Sequence, residues 1–527
     1  MAESSLMESR LNVFCTIMAT NLFTRKLVSL LWQAPATSWT RAINKSGHPP
    51  QSATSRTGLW VVHSVAMSIV LSVWQPMIVS ASVGNDDLLC AWPIETTPET
   101  ANIFYPDAYA TYWTMPFFAR SDLEITIKGV FPNSRYFGID VYGSDSLSFS
   151  VNDVGSTLAD YQIVADSGGV NPWQTDNGIG SGSYTINISN DVAAGQRNVL
   201  PLSPTPLSTS LIPGLPDNTG YLMLRVYLPK GGDSNDTDYV SLPTVTLTNT
   251  STSTNSEREL APCQSSQSDG GLFGSSGGIG QLIEGQLATG EGGPCEQDNS
   301  CPDLLTFAAA GGLTTPFPNG VSGYVAALYQ PALGYVGVVR AVMPSSSRDY
   351  KDGPAPWPQD GTNLRYWSFC NYLYQFPFPV ITAGEASGCI ADYQAPITGD
   401  VATLVISSTE DRPASTLGSG SKLAWLPTSP TYPAAKEVVA LRNMLPSESF
   451  QQSVTNITQY GYPSLAKQTM GIYYPVMTQC TVETFNLSGV EGCFATESIT
   501  PEALSRGPPV WLLYEANKDK QAEQHDN

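Results

Sequence analysis

Two stretches of this chain carry the same marks in the same order, and that repetition limits its possible folds more than any other feature. The first runs from TIKGVFP (Thr126 to Pro132) through Arg135-Tyr136, ADYQ (Ala159 to Gln162) and YTINIS to LMLRVYLP (Leu222 to Pro229). The second runs from VVRAVMP (Val338 to Pro344) through Arg365-Tyr366, a second ADYQ (Ala391 to Gln394) and TLVISS to VVALRNMLP (Val438 to Pro446). The Arg-Tyr pair precedes ADYQ by 24 residues in one stretch and 26 in the other. Marks in one order at similar spacing point to a supersecondary unit used twice. Two related β-sandwiches are the simplest consequence, the second carrying insertions such as SRDYKDGPAPWPQDGTN.

The segments around these marks read as strands, being short, rich in aromatic and β-branched residues, and bounded by Gly, Pro, Asn or Ser. They are Leu123 to Val130, Tyr136 to Tyr142, Tyr184 to Ser189, Tyr221 to Leu228 and Val240 to Leu247, then Gly323 to Tyr329, Tyr335 to Val342, Leu364 to Leu373 and Val401 to Ser408. One short helix is expected from Ser447 to Ile457, with Ser447 as its cap. With 13% charged residues against 45 Gly and 40 Pro, the chain is poor material for long solvent-facing helices. The expectation is an all-β chain of two tandem antiparallel, jelly-roll-like β-sandwich domains related by internal duplication, with few short helices.

Texture sets the expected boundaries. Residues 1–57 form a basic leader, 58–84 an export segment, 85–250 the first sandwich, 251–300 a Ser/Gly-rich linker, 301–515 the second sandwich and 516–527 a polar tail. Gly58 to Ala81 is apolar without a formal charge, is preceded by Arg10, Arg25, Lys26, Arg41, Lys45 and Arg56, and ends in small residues around Val79 to Ala81. It suits a cleaved signal peptide or a single-span signal anchor, and in both cases the body lies outside the cytoplasm. A buried core helix, a start at Met67 or a transit peptide are the alternatives.

Cysteine usage points the same way. Outside the leader there are eight: Cys90, Cys263, Cys295, Cys301, Cys370, Cys389, Cys480 and Cys493. No CxxC pair accompanies them, so structural disulfides are expected and no metal site is. Local candidates are Cys295 with Cys301, Cys370 with Cys389, and Cys480 with Cys493. Sequons at Asn187, Asn235, Asn249, Asn456 and Asn486 are candidate glycosylation sites.

Several functions are excluded or disfavoured. The three histidines are His48, His63 and His525, outside the globular stretch, so a Ser-His-Asp triad, a Cys-His pair or a His-ligated zinc cannot be built in the body. A net charge of -21 repels phosphate backbones and anionic lipid heads, so no nucleic-acid partner is expected, and membrane contact only through an uncleaved N-terminal segment. No cofactor is expected. The oxygen-rich loops DSNDTD (Asp233 to Asp238) and EQDNSCPD (Glu296 to Asp303) lack EF-hand spacing.

The stretches NSRYFGIDVYGSD, GGVNPWQ, LRYWSFC, LRNMLPSESF and MGIYYPVMTQC resemble a family of secreted, uncharacterised proteins with no assigned activity, and LMLRVYLP followed by SLPTV is similar to jelly-roll repeats in other domains of unknown function. The likeness covers roughly Cys90 to Cys493 and implies β-sandwich architecture with no catalytic residues. The long basic leader departs from that pattern.

Candidate ligand-binding residues are Arg135, Asp160, Arg225, Arg365, Asp392 and Arg442, at matching marks of the two stretches, with Trp173 and Trp367 as aromatic platforms. A guanidinium beside Asp160 or Asp392 can hold a carboxylate or sugar hydroxyls, or it can brace the fold through an Arg-Asp bridge. Trp113, Trp357 and Trp425 are further rings that stack on sugars or pack in a core. A carboxylate-dependent glycosidase would draw first on Asp140, Asp145, Asp153 and Asp160. The expected function is a secreted or surface-tethered protein that binds carbohydrate or an extracellular surface. A histidine-free glycosidase and a structural wall or matrix protein are the alternatives.

Overall fold

The computed structural model describes residues 85, 88–175, 180–202, 216–229, 240–251, 256–263, 304–310, 317–347, 353–375 and 377–496. The leader, the export segment, Cys295, Cys301, Asn235 and the tail lie outside them. In the first half the strands are β1 (Ile94–Thr96), β2 (Ala110–Phe118), β3 (Leu123–Val130), β4 (Ser134–Tyr142), β5 (Ser150–Val151), β6 (Val154–Gly155), β7 (Thr157–Ala159), β8 (Ser183–Ser189), β9 (Val199–Pro201), β10 (Thr219–Pro229), β11 (Thr244–Asn249) and β12 (Ser256–Leu260). In the second they are β13 (Ala308–Ala310), β14 (Ser322–Tyr329), β15 (Tyr335–Val342), β16 (Leu364–Leu373), β17 (Thr382–Ala383), β18 (Ala386–Ser387), β19 (Cys389–Ala391), β20 (Ile397–Thr398), β21 (Val401–Ser407), β22 (Ala424–Pro427), β23 (Glu437–Pro446) and β24 (Val476–Thr481). Two short helices flank β24, α1 (Pro463–Met470) before it and α2 (Val482–Thr496) after it, the latter broken at Gly489. The class is all-β.

Each half is a sandwich of an inner and an outer sheet. The inner sheets run β1-β2-β10-β4-β7 and β13-β14-β23-β16-β19. The outer ones run β12-β11-β3-β8-β9 and β20-β21-β15-β24, with β22 alongside β21. Apart from β12 and β20, which have no counterpart, the halves follow one strand order, including a parallel pair at the same place, β8 with β9 and β21 with β22. The two sandwiches belong to one compact unit, because the inner sheets face each other and close a third apolar layer between the two sandwich cores.

That stacking explains why the inner strands are buried along their whole length. β4 sends Phe137, Ile139 and Val141 into its own sandwich and Tyr136 and Tyr142 into the layer between the halves. β16 does the same with Trp367 and Phe369 on one side and Tyr366, Cys370 and Tyr372 on the other. Side chains alternate across a strand, so a strand covered on both faces needs two kinds of interior. Here one is wholly apolar, of aliphatic and aromatic side chains, and the other sets tyrosines beside buried arginine–aspartate pairs.

The outer sheets differ in their coats. Val336, Val338 and Val405 of the second are covered by Phe485 and Cys493 of α2. The corresponding face of the first alternates polar residues outward, with Glu124 and Lys128 exposed and Thr126 half-buried.

Three expectations need correction. Ser447 to Ile457 holds only a 3-10 turn, Val454–Asn456, and the helices fall later, at Pro463 and Val482. The strand expected from Val240 begins at Thr244, past Pro243, whose ring nitrogen cannot donate to a ladder. β12 extends the first outer sheet into the stretch read as linker, where Glu257 and Glu259 oppose Thr248 and Thr246.

Among the described cysteines, Cys370 is joined to Cys389 and Cys480 to Cys493, the two local pairs expected, and Cys90 is joined to Cys263. No helix among the described residues is long and apolar enough to cross a membrane.

Candidate functional site

The six charged candidates are drawn together into the layer between the halves, all buried. Arg135 and Arg365 begin the matching strands β4 and β16, while Asp160 and Asp392 follow the matching strands β7 and β19. The pairing crosses over: Arg135 Nη1 donates to Asp392 Oδ1 at 2.7 Å, and Arg365 Nη1 donates to both carboxylate oxygens of Asp160 at 2.6 and 2.7 Å. Each arginine thus holds the ADYQ turn of the opposite half. Asp160 also accepts the backbone N–H groups of Phe137 and Tyr161.

Arg225 and Arg442 occupy matching positions of β10 and β23, opposite Tyr112 and Tyr324 in the ladders, and each guanidinium lies over that tyrosine's ring at 5.5 and 4.9 Å. Arg225 Nε donates to Asp140 Oδ2 at 2.8 Å within its own half, and its Nη2 reaches the Tyr142 hydroxyl and the Phe317 carbonyl. Arg442 instead bonds the Tyr227 hydroxyl and the Tyr105 carbonyl of the other half, with Asp107 Oδ2 3.6 Å from its Nε.

That asymmetry has a traceable origin. Aligning Arg135-Tyr136 on Arg365-Tyr366 puts Asp140 level with Cys370, and aligning the two ADYQ turns puts Thr157 level with Cys389. In the first half the two positions share a hydrogen bond, Thr157 Oγ1 to Asp140 Oδ1 at 2.7 Å; in the second they share a disulfide. Arg442 therefore has no carboxylate in its own strand pair, and Asp107 supplies one from across the layer. Asp107 accepts bonds from Ser368 at 2.6 Å and from Tyr366 at 3.0 and 3.1 Å. Its carboxylate lies within 4.8 Å of the sulfurs of Cys370 and Cys389, but those sulfurs are bonded to each other and offer no thiolate.

Sequence reasoning missed Asp107, Tyr112 and Tyr324. The signal was present as YPDAYATY (Tyr105 to Tyr112) and FPNGVSGY (Phe317 to Tyr324), an aromatic-Pro-Asx start seven residues before a tyrosine. Both leading aromatics, Tyr105 and Phe317, have positive φ, 56° and 55°. Non-glycine residues enter that region only when their surroundings hold them there, and here each carbonyl is held by an arginine, Arg442 and Arg225 respectively.

Burial dominates the electrostatics. It pushes the Asp160 carboxyl up to about 6, with Arg365 opposing, and raises Asp140 with Arg225 opposing. Removing an ion pair from water costs more than one partner returns. It also raises the hydroxyl of Tyr136, so that ring stays neutral. Burial pushes the Glu437 carboxyl up to about 8, against the two hydrogen bonds it accepts, from Ser429 N–H at 2.7 Å and Asn371 Nδ2 at 2.6 Å.

The tryptophans are mostly interior. Trp173 and Trp367 are fully buried in the two sandwich cores, Trp113 lies in the first, and Trp357 is nearly covered. Trp173 Nε1 donates to the Arg135 carbonyl at 3.0 Å, tying the core to the polar layer. Trp425 is half-buried and stacked under Arg412 at 4.1 Å. Of the four carboxylates named for glycosidase chemistry, Asp140 and Asp160 lie in the buried layer, Asp145 caps the Leu147 N–H, and Asp153 is exposed. Asn187, Asn456 and Asn486 are exposed; Asn249 is half-buried, its side-chain oxygen accepting from Ser251 N–H and Oγ.

No protein-family model matches the chain and no curated protein matches it. Among solved structures it is similar to an uncharacterized protein from Burkholderia cenocepacia, at 12% identity over 82% of this chain and 91% of that one, with a TM-score of 0.40. It is also similar to the VPA0106 protein from Vibrio parahaemolyticus, at 10% identity over 71% and 90%, with a TM-score of 0.36. Identities this low carry over no residue role.

Proposed function

We propose that this chain is an exported protein that binds carbohydrate or another extracellular surface through the outer face of its first sandwich. One observation carries this reading: among the described residues that face is an uncovered polar plane, whereas its counterpart in the second half is apolar and packed under α2. Across it run Glu259, Thr246, Thr126 and Asn187 in register, flanked by Thr244, Lys128 and Thr185. Hydroxyls, an amide and charges on neighbouring strands, about 4.8 Å apart, suit repeated hydroxyl groups on a polymer. Three disulfides in the described residues fit an oxidising compartment.

The test is a polysaccharide and glycan array probed with the native chain and with Thr246→Arg, which plants a long charged side chain on the face without touching either core. Binding by the native chain that is lost in the variant supports the reading. No binding to any glycan, or equal binding by both, removes it.

A carboxylate-dependent glycosidase is the second reading, with Asp160, whose carboxyl is raised by burial against the pull of Arg365, as the first carboxylate to test. Reducing-sugar release from polysaccharides that is abolished in Asp160→Asn, with the fold retained, would support it.

A further inference from the structure

Arg365 and Arg135 are matched in position, but their guanidinium groups are not equally satisfied. Arg135 gives Nη1 to Asp392 and Nη2 to the Ser347 carbonyl, and only its Nε is left without a partner among the described residues. Arg365 spends Nη1 on Asp160, and its Nε and Nη2 have no hydrogen-bond partner among the described residues, although the side chain is fully buried. Nε and Nη2 form the edge of a guanidinium that takes a carboxylate through two parallel bonds.

The difference follows from loop length. Ser347 lies in the long connection between β15 and β16, residues 343–363. The matching connection between β3 and β4 is residues 131–133, too short to send a carbonyl across to Arg365. The guanidinium carbon lies 5.3 Å from the centre of the Trp357 ring and 5.7 Å from that of Tyr161, and of these two residues Tyr161 is the one that reaches solvent. Buried charged donors left unmatched cost more than ordinary unmade hydrogen bonds, so a group that satisfies both is bound with a built-in gain.

We propose that the Nε/Nη2 edge of Arg365, between Trp357 and Tyr161, is a binding site for the carboxylate of a small organic acid or of an acidic sugar. Planarity selects a carboxylate, whose two oxygens match two parallel N–H groups, over a spherical anion. The site is separate from the outer sheet face and does not depend on it.

The native chain is titrated with sodium acetate and with sodium glucuronate, against sodium chloride at matched ionic strength and against neutral glucose, by tryptophan fluorescence and by calorimetry. Saturable responses to both carboxylates, and none to chloride or glucose, are expected. Arg365→Lys, which keeps the charge and loses the two-donor edge, weakens binding at least tenfold; Tyr161→Ala, which removes one wall and leaves the ion pair intact, weakens it severalfold. Response to acetate alone excludes acidic sugars and keeps the site for small acids. Absence of a saturable carboxylate response in the native chain overturns the proposal, and so does unchanged affinity in Tyr161→Ala, even where Arg365→Lys fails to fold. Neutral-glycan binding on the outer face is unaffected by either variant, so each reading can fail alone.

Discussion

Arg365 grips both carboxylate oxygens of Asp160, a residue 205 positions earlier in the chain and in the other sandwich. With its mirror, Arg135 and Asp392, this bond ties each inner sheet to the turn that follows the opposite sheet's edge strand. The halves are thereby specified for each other as well as adhering through apolar area. A buried ion pair contributes little net free energy over a well-packed apolar replacement, but breaking it on one side costs about 3–5 kcal/mol because a charge is stranded.

Asp160→Asn or Arg365→Met alone should therefore destabilise the chain by about 3–5 kcal/mol in a denaturant titration, and the double variant Asp160→Leu/Arg365→Met should recover much of that loss. Additive losses in the double variant would mean that the pair acts through separate contacts.

The contribution of Glu437 to stability should fall as pH rises. Its ordinary value of 4.5 is raised in the folded state to about 8. The folded chain keeps a proton that the unfolded chain has released, so this contribution is full below pH 4.5 and is lost as pH rises to about 8. Its slope is up to about 1.4 kcal/mol per pH unit within that window. Glu437→Gln should flatten the melting-temperature profile between pH 4.5 and 8 relative to the native chain; an identical profile would show that this carboxyl is not the proton carrier.

The disulfides should differ in worth. Cys90 and Cys263 are 173 residues apart, Cys370 and Cys389 are 19 apart, and Cys480 and Cys493 are 13 apart. Chain-entropy arguments assign the long closure about 5 kcal/mol and the shorter two about 3 kcal/mol each. Paired Cys→Ser variants ranked by chemical denaturation test this order, and a Cys90/Cys263 variant as stable as the native chain would contradict it.

Two glycines make a contrasting pair. A Cβ on Gly388 would meet the Ile381 carbonyl at 2.3 Å and the Asn371 carbonyl at 3.0 Å, whereas one on Gly420 meets nothing within 4 Å. Gly388→Ala should lose about 1–3 kcal/mol through overpacking against backbone, and Gly420→Ala should be neutral or slightly stabilising. Equal melting temperatures for the two would refute the close approach at Gly388.

Much of the architecture was readable from period and punctuation. Leu123–Val130, Tyr335–Val342 and Leu364–Leu373 lie where the alternation and bounding turn residues put them. β2, ATYWTMPFF, escaped because residues buried on both faces show no apolar-polar alternation, and Pro116 within it reads as a break. The helices escaped because α1 opens on a proline with no side-chain cap, and α2 is interrupted by Gly489.

The sequence by itself determined the all-β class, the two cysteine pairs close in the chain, and the matching marks of the two halves, since each depends on residues near one another in order. It also singled out Arg135, Arg225, Arg365 and Arg442. What those arginines do was decided only in three dimensions. Alternation such as RYFGIDVY tells which side chains share a face, but a polar face meets water or another protein surface with the same pattern. Only the stacking of one inner sheet on the other turned these faces into a buried layer, and joined each arginine to a carboxylate across the molecule or within it.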